Sequence, residues 1–406
     1  MSVDIMKRYS SLLVLLSLFA GWMVFLTGCG GGGSSSTPVQ PPEPDDSLYR
    51  IVYSTKNFSD YGYAIYAVDE NSVVRQHIVS AGSADCCVSR KSVVYSVQTE
   101  NYAGGNIMEL NLFTGNQTLI ASGRYEYPQW NKDCTKITFQ QSIYGGFRIY
   151  VVNSDGTGMK TVDITQFSGY SSQVEWNSAG TSFFLHLTPP DIPIPSSCDY
   201  YYKVSLADMS LSPFLTGGNF CYLSFANSVQ RAAYAEIEEG NDRFVHIMDE
   251  DGGNNSIVPA ESIEAFTLQW SPDSRYLIAM GYYPYEGIYR VSADGSSPVN
   301  LKPAETGNAY EVIWSPDSTM VLFDDWTNKA LYVMDSDGAQ LRKINGSIRA
   351  VINAAWSQDS QKIAFFNTSD DNNRSIYLVN NDGTGQKKIA DTTTESAWVD
   401  CIVDRQ

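Results

Sequence analysis

From residue 48 onward the chain alternates apolar and polar positions in short runs, and no stretch sustains the 3.6-residue period of a long helix. Seven of these runs stand out: VVY (93–95), ITF (137–139), FFL (183–185), AAY (232–234), LIA (277–279), VLF (321–323) and IAF (363–365). Each starts seven residues after an anchor position, held by Cys86, Trp130, Trp176, Phe225, Trp270, Trp314 or Trp356. Trp398 is taken as an eighth anchor, and the successive steps are 44, 46, 49, 45, 44, 42 and 42 residues. A second column of alternating runs keeps the same spacing, from IYAVD (65–69) through IYVVN (149–153) to IYLVN (376–380). A period of this length marks a repeat architecture.

Each repeat reads as four strands. Strand a carries the anchor and ends in a tight turn, spelled Ser-Pro-Asp-Ser after Trp270 and Trp314, where Pro suits the second turn position. Strand b is the apolar run. Strand c alternates and is followed in five units by Asp-Gly, as at Asp294-Gly295 and Asp337-Gly338, the pair favoured in two-residue hairpins. Strand d closes the unit. The two ends are incomplete: 48–56, 65–69 and 75–81 supply strands b, c and d without an a, whereas the segment around Trp398 is an a without the rest. The predicted fold is therefore all-β: one eight-bladed β-propeller of four-stranded antiparallel blades, closed by pairing of the C-terminal strand with the N-terminal blade.

In such blades the a–b and c–d turns gather at one end and the b–c loops at the other. The turns are short and repetitive. The b–c loops vary in length and are acidic and aromatic, with Tyr61, Tyr63, Tyr102, Tyr144, Tyr283, Tyr285 and Trp326 as a candidate binding face. Two uses fit these rings: recognition of a protein or glycan, since aromatic side chains give large contact area at low entropic cost, and shielding of the blade edges.

Lys7 and Arg8, an apolar run to Leu26, and Leu26-Thr27-Gly28-Cys29 describe a secretory signal. The tetrapeptide resembles the bacterial lipobox, which implies a signal peptide at 1–28, diacylation of Cys29, and, with Gly rather than Asp next, a lipid anchor in the outer membrane with the chain facing the periplasm. Residues 29–47, rich in Gly, Ser and Pro, form a flexible tether, and 48–406 form the propeller. The net charge of −18 is the wrong sign for nucleic acid, and leaves the lipid to hold the membrane. A monomer is expected.

WSPDS followed by IAF and IYVMDSDG-like runs resembles the β-propeller repeat of the TolB family. The resemblance covers nearly all of 48–402 and implies a propeller at the cell envelope. Cys86 and Phe225 depart from it by replacing Trp, and TolB itself has six blades and a further N-terminal domain.

Six cysteines remain after Cys29, an even number that suits an oxidising compartment. The blade map pairs Cys198 with Cys221, and Cys401 with either Cys86 or Cys87, Cys134 taking the other. His77, His186 and His246 sit in or beside strands without a metal-ligand spacing, so no metal or cofactor is expected. No GxSxG, HExxH or phosphate-binding glycine loop is present. The preferred reading is a non-catalytic module whose partner is an envelope protein or glycan. The rival is a polysaccharide-active hydrolase or lyase in the central funnel, using acids such as Asp324 and Asp325 of the 324–329 loop.

Overall fold

The computed structural model describes residues 47–57, 62–97, 104–144, 146–165, 167, 169–188, 199–237, 243–259, 263, 265–281, 286–309, 311–325, 327–345, 354–368, 374–392 and 396–405. All regular structure among them is β, in antiparallel ladders between consecutive strands. The unit Val312–Trp314, Met320–Asp325, Ala330–Asp335 and Arg342–Asn345 shows the pattern in its simplest form, strands a to d in spatial order. The strands Ala354–Trp356, Lys362–Thr368, Arg374–Asn380 and Lys387–Thr392 repeat it. In three places the chain runs without a break from strand d of one unit into strand a of the next: Val74–Cys87, Gln117–Trp130 and Leu211–Phe225.

Register follows the side chains. Strands b and c place an aromatic pair directly opposite one another, which stabilises a two-strand ladder. Tyr53 stacks on Tyr66, Phe139 on Tyr150, Phe323 on Tyr332 and Phe365 on Tyr377, with centroids 5.0–5.6 Å apart. His246 fills the same column and stacks on Tyr234 at 4.7 Å. One face of each unit cannot be buried within the unit, so the apolar clusters form between units. Leu322, Leu331, Val333 and Ile344 of one unit enclose Trp356, Ile363 and Phe365 of the next.

The amino-terminal strand Tyr49–Asn57 lies between Gly62–Asp69 and Ser396–Asp404, antiparallel to both. Here the position of the last anchor is corrected. In the regular units the anchor opposes the first residue of the apolar run, as Trp356 opposes Ile363. The equivalent residue of the amino-terminal strand is Ile51, and it pairs with Ile402, not Trp398. A bulge at Val52/Tyr53, opposite Asp400, shifts the register. Asp324 and Asp325 are also displaced from their expected loop. They end a b strand, and both are buried.

Candidate functional site

The innermost strand of each unit has a free edge, whose backbone groups need partners. The anchors and their neighbours supply them across unit boundaries. The indole N–H groups of Trp270, Trp314 and Trp356 donate to the carbonyls of Ser224, Gln269 and Ile313, each the residue before the preceding anchor, at 3.2–3.4 Å. At that same position in other units, Asp85 Oδ2 accepts the Trp130 N–H at 2.7 Å and Gln129 Oε1 accepts the Val174 N–H at 2.9 Å. The last Ser of each turn works in the same direction. Ser274 Oγ accepts from the Asn227 and Ser228 amides, Ser318 from Asp273 and Ser360 from Asp317. These serines have φ near +60°, and Gly180 holds the same place with φ +61°, where a glycine carries no Cβ penalty.

Two disulfides stand in the columns that these bonds occupy elsewhere. Cys86, an anchor, is bonded to Cys401, the residue before Ile402. Cys134, in the turn-serine column, is bonded to Cys87 of the preceding unit. Cys221 is also disulfide-bonded, and Cys198 lies outside the described residues.

Near this inner edge carboxyl groups collect. Burial pushes Asp85 up to about 6, against the two backbone N–H groups it accepts. Burial pushes Glu175 up to about 7, against the pull of Lys132. Glu311 is raised to about 7 by burial and by the neighbouring Asp324 charge. Asp400 keeps contact with water but is hemmed in by protein, and this confinement, with Asp85 nearby, raises it to about 7. Desolvation lowers Lys132 to about 8. Its ammonium is pinned on the carbonyls of Phe225 and Ala226, two units further along the chain.

Asp324 Oδ1 accepts the Glu311 N–H at 2.9 Å, while Asp325 holds the amides of Gly307 and Asn328 at 2.8 Å each. The pair expected to serve as acid and base instead fixes the backbone around it. Among the described residues no group of three His, Cys, Asp or Glu is placed to hold a metal. His186 stacks on Tyr201, and His246 lies 3.3 Å from both Asn255 Oδ1 and Glu236 Oε2. His77 lies in strand Val74–Cys87.

Of the candidate loop rings, Tyr144 is fully exposed in the connection between Lys136–Ile143 and Gly146–Asn153. Tyr63 belongs to strand Gly62–Asp69, with its backbone opposite Lys56 and Ala81. Tyr61, Tyr102, Tyr283, Tyr285 and Trp326 lie outside the described residues. Two further tyrosines escaped the sequence reading. Tyr127 and Tyr222 each stand three residues before an anchor, with φ of 51° and 56°, and are 46% and 37% exposed. A positive φ is unfavourable for a bulky residue, and here it turns both rings outward at strand bulges. The Arg243 guanidinium lies 6.0 Å from the Tyr222 ring. The matching distance to the anchor was the available signal.

No protein-family model matches the sequence, and a search of curated proteins finds no match. Solved structures do share the architecture. A dihydro-heme d1 dehydrogenase, NirN, matches at TM-score 0.60 and 10% identity, over 91% of this chain and 77% of its own. An oligogalacturonate lyase from Vibrio parahaemolyticus matches at 0.54 and 12%, over 82% and 97%. These likenesses show the fold alone. It is a β-propeller. TolB from Acinetobacter baumannii also matches, at TM-score 0.39 and 17% identity over 61% of each chain, so this propeller chain spans about three fifths of that protein's length.

Proposed function

We propose that the chain is a closed eight-bladed propeller, held at the bacterial outer membrane by a lipid on Cys29 and a tether over 29–47. It acts there as a non-catalytic module that binds an envelope protein. Closure is supported by the ladder between Tyr49–Asn57 and Ser396–Asp404 and by the cluster that packs Ile51, Tyr53 and Ile402 against Ala364, Phe366 and Leu378. Tyr49 Oη also donates to Asp359 in the turn of the last complete unit.

One observation carries the binding reading. The inner-edge side chains of Asp85, Gln129, Ser274, Ser318 and Ser360 are committed to backbone N–H groups of neighbouring units, which suits a scaffold. Tyr127, Tyr144 and Tyr222 point outward at or toward the b–c loop end, giving a partner aromatic anchors. The rival polysaccharide-active reading loses its proposed acids, since Asp324 and Asp325 hold backbone amides.

The test is affinity capture from solubilised envelopes with the full chain and with a Tyr127→Ala, Tyr144→Ala, Tyr222→Ala triple variant. A partner recovered by the native protein and lost by the variant is expected. A partner held equally by both would sink docking at this end, and turnover of an envelope glycan would restore the enzymatic reading.

A further inference from the structure

A cavity of about 320 Å³ opens at the turn end between two consecutive units. Asn177, Phe184 and Lys203 line it from one unit, and Gln230, Asp249, Glu250 and Asp251 from the next. Its position coincides with a departure in the anchor column. Phe225 replaces Trp there, and its ring lies 4.4 Å from Phe184 and 6.4 Å from Phe214. A phenyl ring is smaller than an indole and has no N–H to send to the preceding unit. Phe225 does not itself line the cavity but packs against Phe184, which does.

Lys203 is the second departure. It sits opposite Phe184, the residue following the first of the apolar run. The equivalent residues elsewhere are Ala67, Val151, Ile247, Val333 and Leu378, or charged groups with partners. Glu109 pairs with Arg90 at 3.1 Å, and Arg290 donates to the Ser336 carbonyl at 2.7 Å. Lys203 is half-buried and makes no hydrogen bond or ion pair among the described residues. Its ammonium reaches solvent at the cavity, as a long amphipathic side chain allows, and is open to whatever enters.

The chemistry of the lining selects the ligand. Glu250 is nearly buried and bridges the units, accepting from the Ser178 N–H at 2.8 Å and from Asn177 Nδ2 at 3.4 Å. Asp249 accepts from Arg231 at 2.9 Å and from Asn254 at 2.6 Å. Each carboxylate oxygen retains a lone pair for a further donor. An anion would meet three carboxylates, Asp249, Glu250 and Asp251, and a small cation would meet the Lys203 ammonium. An apolar molecule would leave the polar lining unsatisfied. A polyhydroxylated ring satisfies all of them, because each hydroxyl can donate to a carboxylate and accept from an ammonium or amide. The volume is at the small end for ligand pockets.

We propose that this inter-unit cavity is a binding site for a neutral saccharide of one or two rings, with Lys203 and Gln230 as donors and Asp249, Glu250 and Asp251 as acceptors. It lies at the end opposite the b–c loops, so its failure would leave the protein-binding reading standing.

The test is calorimetric titration of the full chain in detergent with D-glucose, D-galactose and N-acetyl-D-glucosamine, using sodium acetate and methylamine hydrochloride as charged probes. Saturable binding of at least one sugar is expected. Lys203→Met, tolerable where Val and Leu stand in sister units, should weaken it about tenfold by removing a charge-assisted hydrogen bond. This variant should melt close to the native protein. The proposal is overturned if no sugar saturates, if Lys203→Met binds as tightly as the native protein, or if only acetate or methylamine saturates.

Discussion

The regular units after Trp270 and the segment joining Cys401 to residues 86–134 meet the same need with different chemistry. In the regular units an indole N–H reaches the preceding inner strand and a turn serine accepts the preceding turn's amide. At the junction of the chain ends, disulfides occupy both columns. For Cys86–Cys401 the sequence separation supplies a reason, whereas Cys87–Cys134 spans 47 residues, about one repeat. Successive regular units are joined by a short piece of chain, whereas Cys86 and Cys401 are 315 residues apart. Bringing such distant segments together costs loop-closure entropy. A hydrogen bond, worth about 1 kcal/mol net, offsets little of that, while a cross-link removes it from the unfolded chain.

The comparison can be broken at its regular side first. Trp314→Ala should cost about 3–5 kcal/mol in chemical denaturation, through lost burial and the cavity left behind. Trp314→Phe isolates the indole bond and should cost much less, about 1 kcal/mol beyond the change in volume. If Trp314→Phe is neutral, the bond to Gln269 is not a fastening and the parallel with the disulfide fails.

Next in size is the covalent side. Replacing Cys86 and Cys401 together by serine should lower stability by about 2–4 kcal/mol. Adding Cys86→Trp to a Cys401→Ser chain should recover part of that, since the anchor would again face a carbonyl. No recovery would mean that the two columns are equivalent in position only.

The smallest expected effect is a pH dependence centred on the inner edge. Asp85, Glu175 and Glu311 are raised from ordinary values of 3.8, 4.5 and 4.5 to about 6, 7 and 7. Between about pH 4 and 7 the folded chain holds protons that the unfolded chain has released, so stability falls as pH rises through that window. Turn acids such as Asp317 and Asp359 are shifted downward instead, and their contribution changes only below their ordinary value of 3.8. Thermal melting should therefore occur at lower temperature at pH 8 than at pH 5, by on the order of 2 kcal/mol after solvent screening. Asp85→Asn should flatten the profile, and an unchanged slope would remove Asp85 from the account.

Much of the fold was legible because the repeats state it locally. Apolar runs fix strand b, alternation fixes strand c, and Asp-Gly fixes the hairpin after it. What failed was register. Trp398 has the residue type of an anchor, but the bulge opposite Asp400 gives that position to Ile402, and residue type alone does not report a bulge. Asp324 and Asp325 were placed in a loop because acids are rare in a buried strand. Backbone amides from Glu311, Gly307 and Asn328 make them tolerable there. Tyr127 and Tyr222 depend on a positive φ that no local residue pattern announces. The cavity was least visible, since its lining includes Lys203, an ordinary residue in a column that elsewhere holds apolar side chains or paired charges.

The placement of Tyr49–Asn57 has a mechanical consequence. Tension entering from the amino-terminal side reaches this strand first, and the strand is gripped along both edges by antiparallel neighbours. A pull along its length loads many hydrogen bonds at once in shear rather than peeling them singly. Part of the load passes through Ser396–Asp404 and the Cys401 sulfur into the sheet beyond.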